Sequence, residues 1–106
     1  EDPSGRLMEG VLAEHVGDDA AARAAYERVL ALEPANVVAL NQLAWFLAAR
    51  EIELDRALEL AGQADALQPG NASVLDTKGW VLFLGGDEQA AVETLREAHA
   101  IDGGQR

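Results

Sequence analysis

Cysteine is absent from this chain of 106 residues, which excludes disulfides and thiolate metal sites. Basic residues are scarce: eight Lys and Arg stand against 19 Asp and Glu, a net charge of −11 with the histidines neutral. That balance repels nucleic acid and anionic membranes, whose binding rests on clustered Lys and Arg. Neutral or basic peptides and proteins suit it better. Long apolar runs are lacking too. None reaches the roughly 18–20 residues that a membrane span needs, and no basic segment followed by an apolar core opens the chain. Direct membrane insertion is therefore not expected. The chain begins Glu1-Asp2-Pro3 with no initiator Met, as expected of a fragment of a longer protein, so cytoplasmic and exported locations both stay open.

Catalytic signatures are equally sparse. His15 and His99 lie far apart, without the H-E-x-x-H pair or third ligand that a metal centre needs. Gly85-Gly86-Asp87-Glu88 has no strand before it and no Gly-Lys-Ser/Thr, so it reads as a turn with a cap and not as a phosphate loop. Ser4 lies near a chain end and Ser73 starts a helix, and neither suggests a nucleophile. The pairs Glu51/Glu53 and Asp87/Glu88 fall at turns and helix starts, where carboxylates complement the helix dipole. Neither catalysis nor a cofactor is expected.

What the chain does have is repetition. The stretch Val38 to Trp45 returns 35 residues later as Ser73 to Trp80, with Leu40 answering Leu75, Asn41 answering Asp76, Ala44 answering Gly79 and Trp45 answering Trp80. A self-match at such a period marks a helical repeat. The rest of the chain agrees. Glu1 to Gly5 reads as a frayed leader, and a first helix capped by Ser4 carries Leu7, Met8, Val11 and Leu12 until Gly17. Asp18 or Asp19 caps a second helix, Ala20 to Leu32, that buries Ala22, Tyr26, Val29 and Leu30. Pro34 ends it. The third, about Val37 to Arg50, is apolar almost all round and should be the central element. The fourth runs from Asp55 to Leu67, with Ala57, Leu58, Ala61, Ala64 and Leu67 inward, and Pro69 follows. The fifth spans Ala72 to Leu84. Asp87 caps the sixth, which continues to about Ile101 before Asp102-Gly-Gly-Gln-Arg trails off. Short loops make sequential helices antiparallel neighbours, so the expected architecture is all-α: three stacked helical hairpins.

Set in register, the three units resemble the tetratricopeptide repeat, a helix–turn–helix of about 34 residues. The small residue where the two helices of a hairpin cross is Gly10, Ala44 and Gly79; helix axes approach to about 8–10 Å only where side chains are small. The second-helix Ala is Ala22, Ala57 and Ala91, followed by Tyr26, Ala61 and Leu95, then Val29, Ala64 and Ala98. Pro34 and Pro69 close two repeats, and Gly103 stands at the third place. The departures are Leu40 and Leu75 for an early Trp, Ala13, Leu47 and Leu82 for a later Tyr, Ala61 for a large residue, and Glu9 for Leu. The middle repeat also carries one extra residue in its internal turn. The resemblance covers about 4–102, as repeats 4–34, 36–69 and 71–102 of one domain. It implies a right-handed superhelix serving as a protein–protein interaction module.

In this family the first helices line a concave groove. The matching stripes here are Leu7, Val11 and Glu14; Asn41, Trp45 and Ala48; and Asp76, Trp80 and Phe83. A peptide or partner protein in that groove would meet two indoles flanked by an amide and a carboxylate, and aromatic anchors dominate many interfaces. Both tryptophans fit equally a packing role between repeats. Asn41 and Asp76 discriminate better, because a polar group in so apolar a setting needs a partner from the protein or from a ligand. The alternative function is scaffolding, with repeats stacking on neighbouring repeats or on a second subunit. Val92, Leu95, Ala98 and Ile101 on the uncapped last helix are the candidates for such a homodimer contact.

Overall fold

A computed structural model describes residues 2–104, with side chains to residue 101. It contains α1 (Pro3–His15), α2 (Asp19–Leu32), α3 (Val37–Ala49), α4 (Leu54–Leu67), α5 (Ala72–Leu84) and α6 (Glu88–Gly104), and no strand among the described residues. The helices pair as α1/α2, α3/α4 and α5/α6, and the pairs stack through α2 on α3, α3 on α5 and α4 on α5. The all-α stack of three hairpins is the architecture anticipated. No described helix is long and apolar enough to cross a membrane.

Side-chain caps set most helix starts. Asp18, Asn36, Asn71 and Asp87 each accept a hydrogen bond from the backbone N–H three residues on, at 3.0–3.2 Å, each contributing about 1 kcal/mol. At the first helix Asp2, not Ser4, is the cap: its Oδ1 accepts from the Ser4 amide at 3.1 Å. Pro3 then sits at the first helical position, where its missing N–H costs nothing. Glu33 and Gln68, the residues before the two link prolines, leave helical geometry at φ −135°, because the following ring disfavours helix there. The sixth helix has no such brake. It runs through Gly103 to Gly104, past the expected end near Ile101. Glu1, Gln105 and Arg106 lie outside the described residues.

Inside the hairpins the turns use a left-handed residue at one register position: Gly17 at φ 85°, Glu51 at φ 53° and Gly86 at φ 93°. The middle turn holds the extra residue and needs a second, Glu53 at φ 47°. Glu53 gives no side-chain cap to α4; its carboxylate instead meets Arg23 at 2.6 Å.

The core is centred on α3, which buries Ala39, Leu40, Leu43, Ala44, Phe46, Leu47 and Ala48. A fully buried Leu, Phe or Val contributes roughly 1.5–3 kcal/mol, so a helix buried on most sides anchors both neighbours. Tyr26 and Phe46 meet edge to face at 6.2 Å. The inward face of α4 differs from expectation. Ala57, Leu60, Ala61 and Ala64 are buried, whereas Leu58 and Leu67 are exposed; the hairpin closes over the small residues, which turns Leu60 inward instead. Leu30 is only half-buried.

Candidate functional site

The first helices of the three hairpins carry register-equivalent side chains, and one row of them faces solvent. Val11 on α1, Trp45 on α3 and Trp80 on α5 are 41, 42 and 38% exposed. Each stands one residue after the buried crossing residue of its helix, Gly10, Ala44 or Gly79. The crossing residue points into the hairpin, so its neighbour, about 100° further round the helix, is turned out of it. Trp80 stacks on Phe83 with centroids 5.5 Å apart and planes 21° apart, and Phe83 is itself exposed.

Two cavities flank the row on either side of α3. The first, about 320 Å³, is lined by Val11, Glu14, His15, Tyr26, Gln42 and Trp45. The second, about 280 Å³, lies between α3 and α5 and includes Val38, Asn41, Gln42, Asn71 and Ser73. Gln42 borders both. It was one of only two polar residues visible in the α3 pattern, and that rarity is the signal that marks it.

The remaining candidates divide. Ala48 is buried at the bottom of α3 and cannot touch a partner; on a helix apolar nearly all round, spacing alone put it on the wrong side. Leu7 is half-buried against the core, and Asp76 is exposed. Glu14 borders the first cavity, but its Oε1 accepts from the Tyr26 hydroxyl at 2.8 Å and its Oε2 lies 3.7 Å from Arg50. Its charge is thus partly committed within the protein. Burial, with the hydrogen bond to Glu14 adding to it, pushes the Tyr26 hydroxyl well above the usual phenol range, so Tyr26 stays a neutral donor. Asn41 donates from Nδ2 to Ser73 Oγ at 3.3 Å, across to the third hairpin, while its Oδ1 is buried without a partner.

Sequence reasoning missed the Arg50 cluster behind the first cavity. Arg50 lies 3.8 Å above the Phe46 ring, donates to the Phe46 carbonyl at 3.0 Å and reaches Asp19 at 2.8 Å. Its hydrogen bond holds the Asp19 carboxyl below the usual range. Further round, Arg56 donates twice to Glu27 at 2.5 and 2.6 Å. These pairs join the first hairpin to the second; Lys78 to Asp65 at 3.1 Å joins the second to the third.

On the last helix Val92 and Leu95 are exposed, Ile101 is half-buried and Ala98 is buried. Ala98 is therefore unavailable to a second subunit. Val92, Leu95, Arg96, His99 and Ala100 border a cavity of about 470 Å³. No group of three or more His, Asp or Glu that could hold a metal occurs among the described residues.

No protein-family model matches the chain. A curated Pseudomonas aeruginosa protein described as a TPR repeat-containing protein is 39% identical over 70 residues, 66% of this chain and 12% of that protein. A mutant O-GlcNAc transferase of Thermobaculum terrenum superposes with a TM-score of 0.88 at 29% identity, over 93% of this chain and 19% of that one. The crystal structure of MamA superposes with a TM-score of 0.84 over 98% of this chain and 60% of that one, at 19% identity. That last likeness is one of fold alone. The chain thus spans about an eighth of the curated relative it matches.

Proposed function

We propose that this array of tetratricopeptide-type repeats, a protein-interaction or scaffold module, holds an extended neutral or basic peptide across its first helices. Repeats of this type are generally non-catalytic, and the chemistry of binding is what these residues offer. One observation carries the reading: Val11, Trp45 and Trp80, equivalent in three successive hairpins, are all exposed. A row of apolar contacts at repeat spacing suits a chain that runs across the repeats.

Trp45 and Trp80 supply rigid contact area with little rotamer entropy to lose. Gln42 and Asn41 flank the row with amides that can pair with a peptide backbone. Asp76 adds an exposed carboxylate at the third hairpin. The net charge of −11 repels acidic partners and speeds encounter with basic ones, an effect that fades with salt. Nucleic acid is disfavoured on the same ground.

The test is a display selection of extended peptides against the chain, followed by calorimetry. Selected sequences should be enriched in Lys, Arg and apolar residues, and Trp45→Ala should weaken their binding. Selection of acidic peptides, or binding indifferent to Trp45 and Trp80, would rule the reading out.

A further inference from the structure

The two cavities beside the exposed row differ in charge. The one between α3 and α5 is lined by Asn41, Gln42, Gln68, Asn71, Ser73 and apolar residues, with no ionisable side chain. The other brings Glu14 and His15 beside Tyr26, Gln42 and Trp45. Its walls come from α1, α2 and α3, so it lies inside the stack and not at an end. Register explains the contrast. Glu14 stands four residues after the crossing residue Gly10, and the same place is Ala48 after Ala44 and Phe83 after Gly79. The first hairpin alone puts a carboxylate there.

Three features favour a cation in that cavity. Glu14 and His15 end α1, where the helix dipole is negative and cations are stabilised. Trp45 is exposed beside them, and the face of an indole attracts an ammonium or guanidinium group. Glu14 supplies a full charge. Its Oε1 accepts from the Tyr26 hydroxyl at 2.8 Å, and Arg50 lies 3.7 Å from its Oε2. Neither contact uses that charge up. Tyr26 is a neutral donor, and Arg50 makes its shorter contact with Asp19, at 2.8 Å. Two carboxylates facing one guanidinium leave the cluster net negative. An ionised carboxylate accepts about four hydrogen bonds, and the Glu14 side chain is 23% exposed.

We propose that this cavity takes one lysine or arginine side chain of the bound peptide, its charge on Glu14 and its methylenes against Trp45 and Val11. Long basic side chains lay their stems on apolar surface while the charge stays among polar groups. An indole beside a carboxylate matches both parts. The site presupposes the peptide-holding role of the first helices and adds a register to it. A basic residue is read between the first and second hairpins, and a neutral polar one between the second and third.

The test uses a peptide selected on the parent chain, with each Lys and Arg changed in turn to norleucine. That residue keeps an apolar stem and removes the charge. Calorimetry compares the parent with Glu14→Gln, whose amide oxygen still accepts from Tyr26, and melting curves confirm that the variant folds. At one basic position the change should cost about tenfold against the parent and about twofold or less against Glu14→Gln. Elsewhere the two proteins should lose alike. With the parent alone, added salt should weaken the original peptide more than its norleucine form at that position. A selected peptide with no basic residue overturns the proposal. So does a norleucine loss equal for both proteins at every position, or a salt dependence that norleucine changes at none. If Trp45→Ala still weakens the peptide in those cases, the exposed row keeps its role and only the assignment of the cavity falls.

Discussion

Tyr26 occupies the space that a side chain on Gly10 would need: a Cβ at Gly10 would lie 2.6 Å from Tyr26 Cε1. The ring is fully buried and its hydroxyl is held by Glu14, so it cannot swing aside. Gly79 stands in the same relation to Leu95, whose Cγ would be 2.6 Å away, but Leu95 is partly exposed and has room to turn. Overpacking costs about 1–3 kcal/mol, set against the roughly 1 kcal/mol that Ala gains over Gly in a helix. Gly10→Ala should therefore lower the thermal midpoint by about 5 °C or more, and Gly79→Ala should lower it by less. Urea or thermal melts of the two variants compare them directly. Equal losses would show that Tyr26 is no more rigid than Leu95.

The turn of the middle hairpin should accept improvement. Glu51 holds φ 53° where the other two hairpins place Gly17 and Gly86, and the left-handed region costs a residue with a Cβ roughly 1 kcal/mol or more. Glu51→Gly should raise stability by about 0.5–1 kcal/mol, although most glycine substitutions lower it. Glu53→Gly should not, because that residue also carries the ion pair to Arg23.

Stability should fall in acid through the carboxylates that join the first two hairpins. Hydrogen bonds from Arg56, Arg50 and Arg23 hold Glu27, Asp19 and Glu53 below their ordinary values of 4.5, 3.8 and 4.5. A depressed folded pKa means that the unfolded chain binds the proton more readily. The contribution is therefore complete above those ordinary values and is lost as pH falls through the lower folded ones. Melting midpoints should be level from about pH 7 to 5 and decline below about 4.5. Glu27→Gln should lower the plateau and make the decline shallower. A decline unchanged in that variant would place its origin elsewhere.

Much of this architecture was legible because its signals are local. Pro34 and Pro69, the acidic caps Asp18 and Asp87, and the small residues Gly10, Ala44 and Gly79 each act within one or two turns of their own position. Sites that depend on distant partners were not. Nothing in the spacing links Arg50 to Asp19, 31 residues away. Ala48 was misplaced because α3 is apolar on most sides, so periodicity sets no preferred face there. The two tryptophans stood open between core and surface because an indole spans both; the structure leaves each about two-fifths exposed.

Asn41 separates stability from binding. Its Oδ1 is buried with no partner, a state that costs about 1–3 kcal/mol. Asn41→Leu should leave the melting midpoint unchanged or higher, with the loss of the Ser73 contact offset, yet weaken binding of a selected peptide. Thermal melts paired with calorimetry read both effects. A marked fall in stability would make Asn41 a structural residue and count against its place beside the groove.

The most direct measurement is the affinity of a selected peptide for the Trp45→Ala, Trp80→Ala double variant, taken with its melting curve. Truncating two aromatic anchors should cost at least about 2 kcal/mol, a loss of roughly thirtyfold or more, while the fold stays intact by circular dichroism. Unchanged affinity in a folded double variant would contradict the peptide-holding role of the row formed by Val11, Trp45 and Trp80.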